Sequence, residues 1–321
     1  ISTNAAGEAN AGNVEISAAS DIETNGINAR ASSEETNTGQ GGDITLSTTQ
    51  GGNIRNRGNL NTESLAGTDS SQTENDDNNL LNAGNGGSIR LTTEAGGNIV
   101  NEGTLNSRSR SFNGNSSDGG DITLTTQRRG DIINEGVLRS QSDSDAGNTA
   151  NGGDITLRTF QGNLLNQDAL RASSDTNAGN AGNGGNISLQ ADRGSITNEN
   201  DLATQSSTDD GDAGNGGKIT LSAAGDISNQ RLLNTYSFSE AGTAQSGGDI
   251  SIESTGGGSI TNRGTFRSLS ASNAGDAGNG GSIEMSTVAA GSITHYGALN
   301  AQSLANGNVT GNAMAGGDVT L

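Results

Sequence analysis

The chain has 321 residues, 52 of them glycine, and no proline, cysteine or tryptophan. Sixteen basic against 36 acidic residues give a formal charge of −20, which excludes electrostatic attraction to nucleic acid or anionic lipid. The missing cysteine excludes disulfides and thiolate metal sites, and no apolar run approaches the ~18 residues of a membrane span. At 28% hydrophobic and 2% aromatic residues, the chain reads as disordered unless its few apolar residues are periodic.

They are periodic. A weak first copy, AGNVEI at Ala11, is followed by GGDITL at Gly41, GGSIRL at Gly86 and GGDITL at Gly119 and Gly152. GGNISL at Gly184, GGKITL at Gly216, GGDISI at Gly247, GGSIEM at Gly280 and GGDVTL at Gly316 complete the series. The spacing between the first aliphatics is mostly 31–33 residues, with 45 between Ile44 and Ile89. About ten residues into each repeat comes a second segment, such as GNIVNEG at Gly97, with its aliphatic at Ile54, Ile99, Ile132, Leu164, Ile196, Ile227, Ile260 or Ile293. A third segment follows six residues after each of these, at Leu60, Leu105, Leu138, Leu170, Leu202, Leu233, Phe266 and Leu299. Every segment alternates apolar or small with polar residues, the period of a β-strand, and none shows a helical period.

Three short strands with one or two inward aliphatics each bury nothing alone, whereas stacked repeats share a core. The pattern predicts an all-β chain: a right-handed parallel β-helix (β-solenoid) with three short strands per ~32-residue coil and about nine coils. Residues 1–321 form a single solenoid domain, read as a segment of a longer protein, with an inserted surface loop at 67–82. The Gly/Asn/Ala/acidic linkers between repeats are expected to follow the solenoid as an extended edge.

Two columns stand out. Asn56, Asn101, Asn134, Asn166, Asn198, Asn229 and Asn262 lie two residues after the second aliphatic, with His295 in the last copy. Stacked amides satisfy one another along such an axis, and a catalytic role would need one special position rather than seven. Ser64, Ser109, Ser142, Ser174, Ser206, Ser237, Ser270 and Ser303 lie four residues into the third segment and predict a tight, small-residue end of that wall. With one histidine in the chain, a repeated Ser–His pairing is impossible. Gly58, Gly103, Gly136, Gly264 and Gly297, with Asp168, Asn200 and Arg231, mark a corner where positive φ is expected and where Arg231 is out of place. Asp43, Asp121, Asp154, Asp249 and Asp318 beside the glycine pairs read as turn caps; Lys218 in the same column argues against a calcium loop, so no cofactor is assigned, and calcium stays a weak possibility.

The repeated GNGGxIxLxxxGxIxNxGxLxxxS pattern resembles the repeat regions of filamentous-haemagglutinin-like exoproteins of two-partner secretion, above all the Gly/Asn-rich surface proteins of cyanobacteria. The resemblance implies export and an extracellular, cell-surface location. The expected function is a structural or adhesive rod or filament, not an enzyme. The expected partners are further copies stacked end to end and a cell-surface glycan or neighbouring cell. The alternative is a secreted carbohydrate-binding or carbohydrate-degrading β-helix. That reading needs a local acid cluster, and the sequence is expected to hold none; it also favours aromatic platforms, and the six aromatics look dispersed.

Overall fold

The computed structural model describes residues 1–67, 80–288, 290–306 and 311–321. Among these there is no helix, and the strands form three continuous parallel sheets of ten, nine and twelve strands. Each coil visits the three walls in turn. One coil runs Ile122–Arg129, Ile132–Asn134 and Leu138–Ser144, and the next begins at Ile155. Register is residue-for-residue along the repeat: Ile122 pairs with Ile155, Asn134 with Asn166, and Ser142 with Ser174. In-register stacking follows from the period, because a one-residue slip would turn each wall's aliphatics outward.

Four aliphatics per coil meet on the axis. Ile122, Leu124, Ile132 and Leu138 are fully buried, as are their equivalents through most of the rod. Each contributes about 1.5–3 kcal/mol on burial, so the narrow column carries much of the stability despite the low hydrophobic content. Bulk rather than identity is what the column requires: Phe266 fills a leucine position and Met285 another, both fully buried. A threonine closes the first corner: the Thr126 hydroxyl donates to the Gly130 carbonyl (3.0 Å), and Thr48, Thr93 and Thr159 repeat the bond.

The first coil is more complete than the repeat search reveals. Ile22–Thr24 and Ile27–Asn28 supply its second and third walls, with Ile27 five rather than six residues after Ile22. Of the inserted loop at 67–82, residues 68–79 lie outside the described residues. Past them the chain re-enters at Leu81, which is buried with Ala66 and Ala83.

The linkers do follow the rod. Ala181, Ala213, Ala244 and Ala277 stack as bridges, and Ala213 and Gly216 donate their N–H groups to Thr243 and Ser246 of the next coil at 2.8 and 3.0 Å. They also press on the third wall. A Cβ on Gly119 would lie 2.8 Å from the Gln141 backbone nitrogen, and one on Gly152 would lie 2.7 Å from the Ser173 carbonyl oxygen. A Cβ on the second glycine of the pair, Gly120, would strike Gly87 of the preceding coil, and Gly217 would strike Gly185. The Gly-Gly signature is therefore a close approach of three backbones.

The corner between the second and third walls corrects an expectation. None of Gly58, Gly103, Gly136, Gly264 and Gly297 has positive φ. Glycine serves there because a Cβ on Gly136 would run into the Gly103 carbonyl of the preceding coil. Asp168, Asn200 and Arg231 stand at the same corner with their carbonyls accepting the same asparagine amides, and Asp168 and Asn200 also accept the N–H of the residue that follows, at 2.7 and 2.8 Å.

Candidate functional site

The asparagine column forms one directional chain. Each Nδ2 donates to the next Oδ1 at 2.7–2.8 Å, from Asn56 through Asn101, Asn134, Asn166, Asn198 and Asn229 to Asn262. From Asn101 onward each Nδ2 also donates to the carbonyl two residues along, as Asn134 does to Gly136 at 2.8 Å. His295 ends the chain: its Nδ1 receives the Asn262 amide at 2.8 Å. At the other end Thr24 replaces asparagine, and the Asn56 Oδ1 has no partner. The head-to-tail amides polarise one another.

The serine column holds the linker. Ser64 donates to the Gly39 carbonyl (2.8 Å), Ser174 to Ala150 (2.7 Å), Ser237 to Gly214 (2.7 Å) and Ser270 to Gln245 (2.5 Å). Ser142 pairs with the Ser116 hydroxyl at 2.8 Å, Ser109 accepts the Ser117 N–H at 3.0 Å, and Ser303 reaches Ala277 at 3.4 Å. Ser206 alone is buried without a partner. Two flanking hydroxyl columns extend the seam. Ser140 and Thr235 bond the second glycine of a pair. Ser144, Thr208, Ser239 and Ser272 donate to the preceding coil and accept the N–H three residues on, as Ser239 does with Gly211 (2.6 Å) and Gly242 (2.7 Å). These roles are structural.

The acidic and amide columns outside the rod cap axially. Asp121 Oδ1 accepts the Asp154 N–H at 2.9 Å, Asp154 accepts that of Asn186 at 2.7 Å, and Asn186 that of Lys218 at 2.9 Å. Lys218 has no side-chain oxygen to pass on and ends that run. Among the described residues no three His, Cys, Asp or Glu side chains are grouped to hold a metal ion, and no helix is long and apolar enough to cross a membrane. A shallow trough of about 520 Å³ lies over Gly216, Gly217, Gly247 and Gly248, bordered by Asn183, Lys218 and Asp249. Its floor is backbone already bonded to neighbouring coils.

Outward side chains vary from coil to coil, and on the third wall they bring two carboxylates together: Asp143 and Asp175 are direct register partners. Arg108 pairs with Asp143, and Arg110 lies 3.7 Å from Asp145. The Asp143 and Arg108 side chains are only 15% and 20% exposed. Burial, more than Arg108 offsets, raises the Asp143 carboxyl above its ordinary range. Burial, then the neighbouring Asp143, pushes Asp175 up to about 7, against the opposing bonds from Ser173 and Gln205, the latter at 2.9 Å. Arg139 and Arg171 also stack in register and form no ion pair among the described residues.

Farther along the same face the residues become apolar. Tyr236 and Phe238 point outward and stack at 5.5 Å between centroids with 12° between planes, while Ser237 points in. The Arg267 guanidinium covers Tyr236 at 4.9 Å, and Leu269 and Ala271 lie buried in the adjacent coil. Burial pushes the Tyr236 hydroxyl up to about 12, with Arg267 opposing and Glu240 adding. The two aromatics that looked scattered thus form one stack. The signal for both features was present in sequence, since the Asp143–Asp175 column lies one residue beyond the serine column.

No family model matches the chain, and searches of curated proteins and of solved structures return no match.

Proposed function

We propose that this chain is the rod of an extracellular structural or adhesive surface protein of the filamentous-haemagglutinin-like kind. The observation that carries the reading is the commitment of the interior: seven amides and all but one of the serine column are spent on holding coil to coil. Such a module sets length and stiffness and displays whatever its outer faces carry. Stacking of further copies end to end, coil upon coil, extends the rod, and the outward side chains that vary from coil to coil offer the surface for a glycan or cell contact. Immunogold electron microscopy with antibodies raised against the chain tests the reading. Label along thin fibres at the cell surface is expected; label confined to the cell interior contradicts it.

A second reading has one observation in its favour. Two register-paired carboxylates, both raised by burial, beside arginines and an aromatic stack are the elements of carbohydrate chemistry. Release of reducing ends from polysaccharides, abolished by Asp175→Asn, would move the assignment to a carbohydrate-active β-helix.

A further inference from the structure

The chain carries 16 basic residues against 36 acidic ones, so two rods repel unless they meet where cations are concentrated. Six of the basic residues, Arg30, Arg108, Arg110, Arg139, Arg171 and Arg267, lie at outward positions of the third wall. In the two coils at Leu138–Ser144 and Leu170–Thr176 the charges are sorted by column, whereas in the coil before them Arg108 stands in the middle column and Arg110 in register with Asp143. Arg139 and Arg171 occupy one outer column, Gln141 and Ser173 the middle, and Asp143 and Asp175 the other.

We infer that the third wall is a side-by-side interface for a second copy of this chain, the two rods running parallel about a two-fold axis along their length. That axis places the first outer column opposite the last. Arg139 then faces Asp143 of the other copy and Arg171 faces Asp175, each contact made twice, as an isologous interface requires. An antiparallel two-fold would set Arg139 against Arg171 and Asp143 against Asp175, four like-charge contacts. Charge therefore selects the direction. Arg108 meets its own copy on the axis but is already neutralised by Asp143. Beyond the charged coils, Tyr236 and Leu269 also lie in the middle column and meet their equivalents, closing an apolar end.

The area is sufficient. Seven strands of seven residues, Leu105–Ser111 to Leu299–Ala305, make the regular part of the face. At ~3.3 Å per residue and ~4.8 Å per strand this is about 780 Å², close to the ~800 Å² per partner of a standard interface. The Asp175 carboxyl, which forms no ion pair among the described residues, gains a counter-charge from Arg171 of the other copy.

A charge swap tests the pairing by sedimentation equilibrium on the 321-residue chain. The unaltered chain is expected to dimerise. Arg139→Glu with Arg171→Glu makes both outer columns of these two coils acidic, and Asp143→Arg with Asp175→Arg makes both basic. Each alone should associate more than tenfold more weakly, and a 1:1 mixture should restore the dimer, which also shows that both variants fold. A monomeric unaltered chain, association indifferent to either swap, or no recovery on mixing would overturn the proposal. A nitroxide on Gln141→Cys and another on Gln302→Cys, made separately in this cysteine-free chain, fix the direction. Parallel rods give short inter-label distances at both positions; a short distance at Gln141 alone contradicts the alignment.

Discussion

The inner face of the third wall is built from two materials. In one strand, Leu138 closes the aliphatic column, while Ser140, Ser142 and Ser144 face the linker. The first end selects for volume and accepts phenylalanine at Phe266. The second accepts serine, threonine or alanine, as Ser140, Thr204 and Ala172 show, but demands nothing at all from the opposing glycines. A solenoid with few hydrophobic residues thus makes a second interior from hydroxyls and bare backbone. The seam's hydrogen bonds each add about 0.5–1.5 kcal/mol net, against about 1.5–3 kcal/mol for each core aliphatic, so the seam succeeds by repetition.

The sharpest way to break the seam is to fill it. Gly217→Val places a side chain against the Gly185 carbonyl, with only backbone to yield. The expected loss exceeds about 4 kcal/mol, the range reserved for severe steric faults, and circular dichroism should show a collapsed thermal transition. The core yields less to a comparable insult: Leu124→Ala should cost about 2–5 kcal/mol in a urea titration. Asn134→Ala removes one rung of the amide chain and leaves the Asn166 Oδ1 without its donor. About 1–3 kcal/mol is expected from that orphaned group, and a loss no larger than for exposed Asn279→Ala would show that the ladder is ornamental.

The outer face gives an effect that depends on pH, with a sign of its own. Asp175 is pushed up to about 7, whereas its unfolded value is near 3.9. The folded chain therefore holds this proton more tightly than the unfolded chain does. The associated stability is complete below about pH 4 and is lost as pH rises through about 7, at no more than about 1.4 kcal/mol per pH unit. At dilutions where the chain is monomeric, Asp175→Asn should flatten this slope and be the more stable protein at pH 8. A slope unchanged by the substitution would remove Asp175 as its source.

These contrasts explain what could be read in one dimension. The aliphatic columns were legible because alternation and a six-residue step repeat eight times, and the Asn56-to-Asn262 column because each member sits at a fixed offset from an aliphatic. The first coil hid its second and third walls because Ile27 follows Ile22 by five residues. The role of the glycine pairs was not legible: a glycine names a missing side chain, not the backbone that takes its place, and Gln141 lies 22 residues beyond Gly119. The corner glycines were misread for the same reason, as conformational freedom instead of close approach. On the outer face, Asp143 and Asp175 stand one full coil apart, so only stacking reveals that they are neighbours.

The central claim is that the hydroxyl seam makes the linkers part of the fold instead of loops draped on it. Native-state hydrogen exchange of the linker amides, followed residue by residue, tests it most directly. Gly152, Gly184 and Gly216, which donate to the next coil at 2.9–3.0 Å, should exchange as slowly as Ile155, Ile187 and Ile219 of the first wall. Exchange of the linker glycines at the rate of an unstructured peptide, with the first wall still protected, would contradict the account.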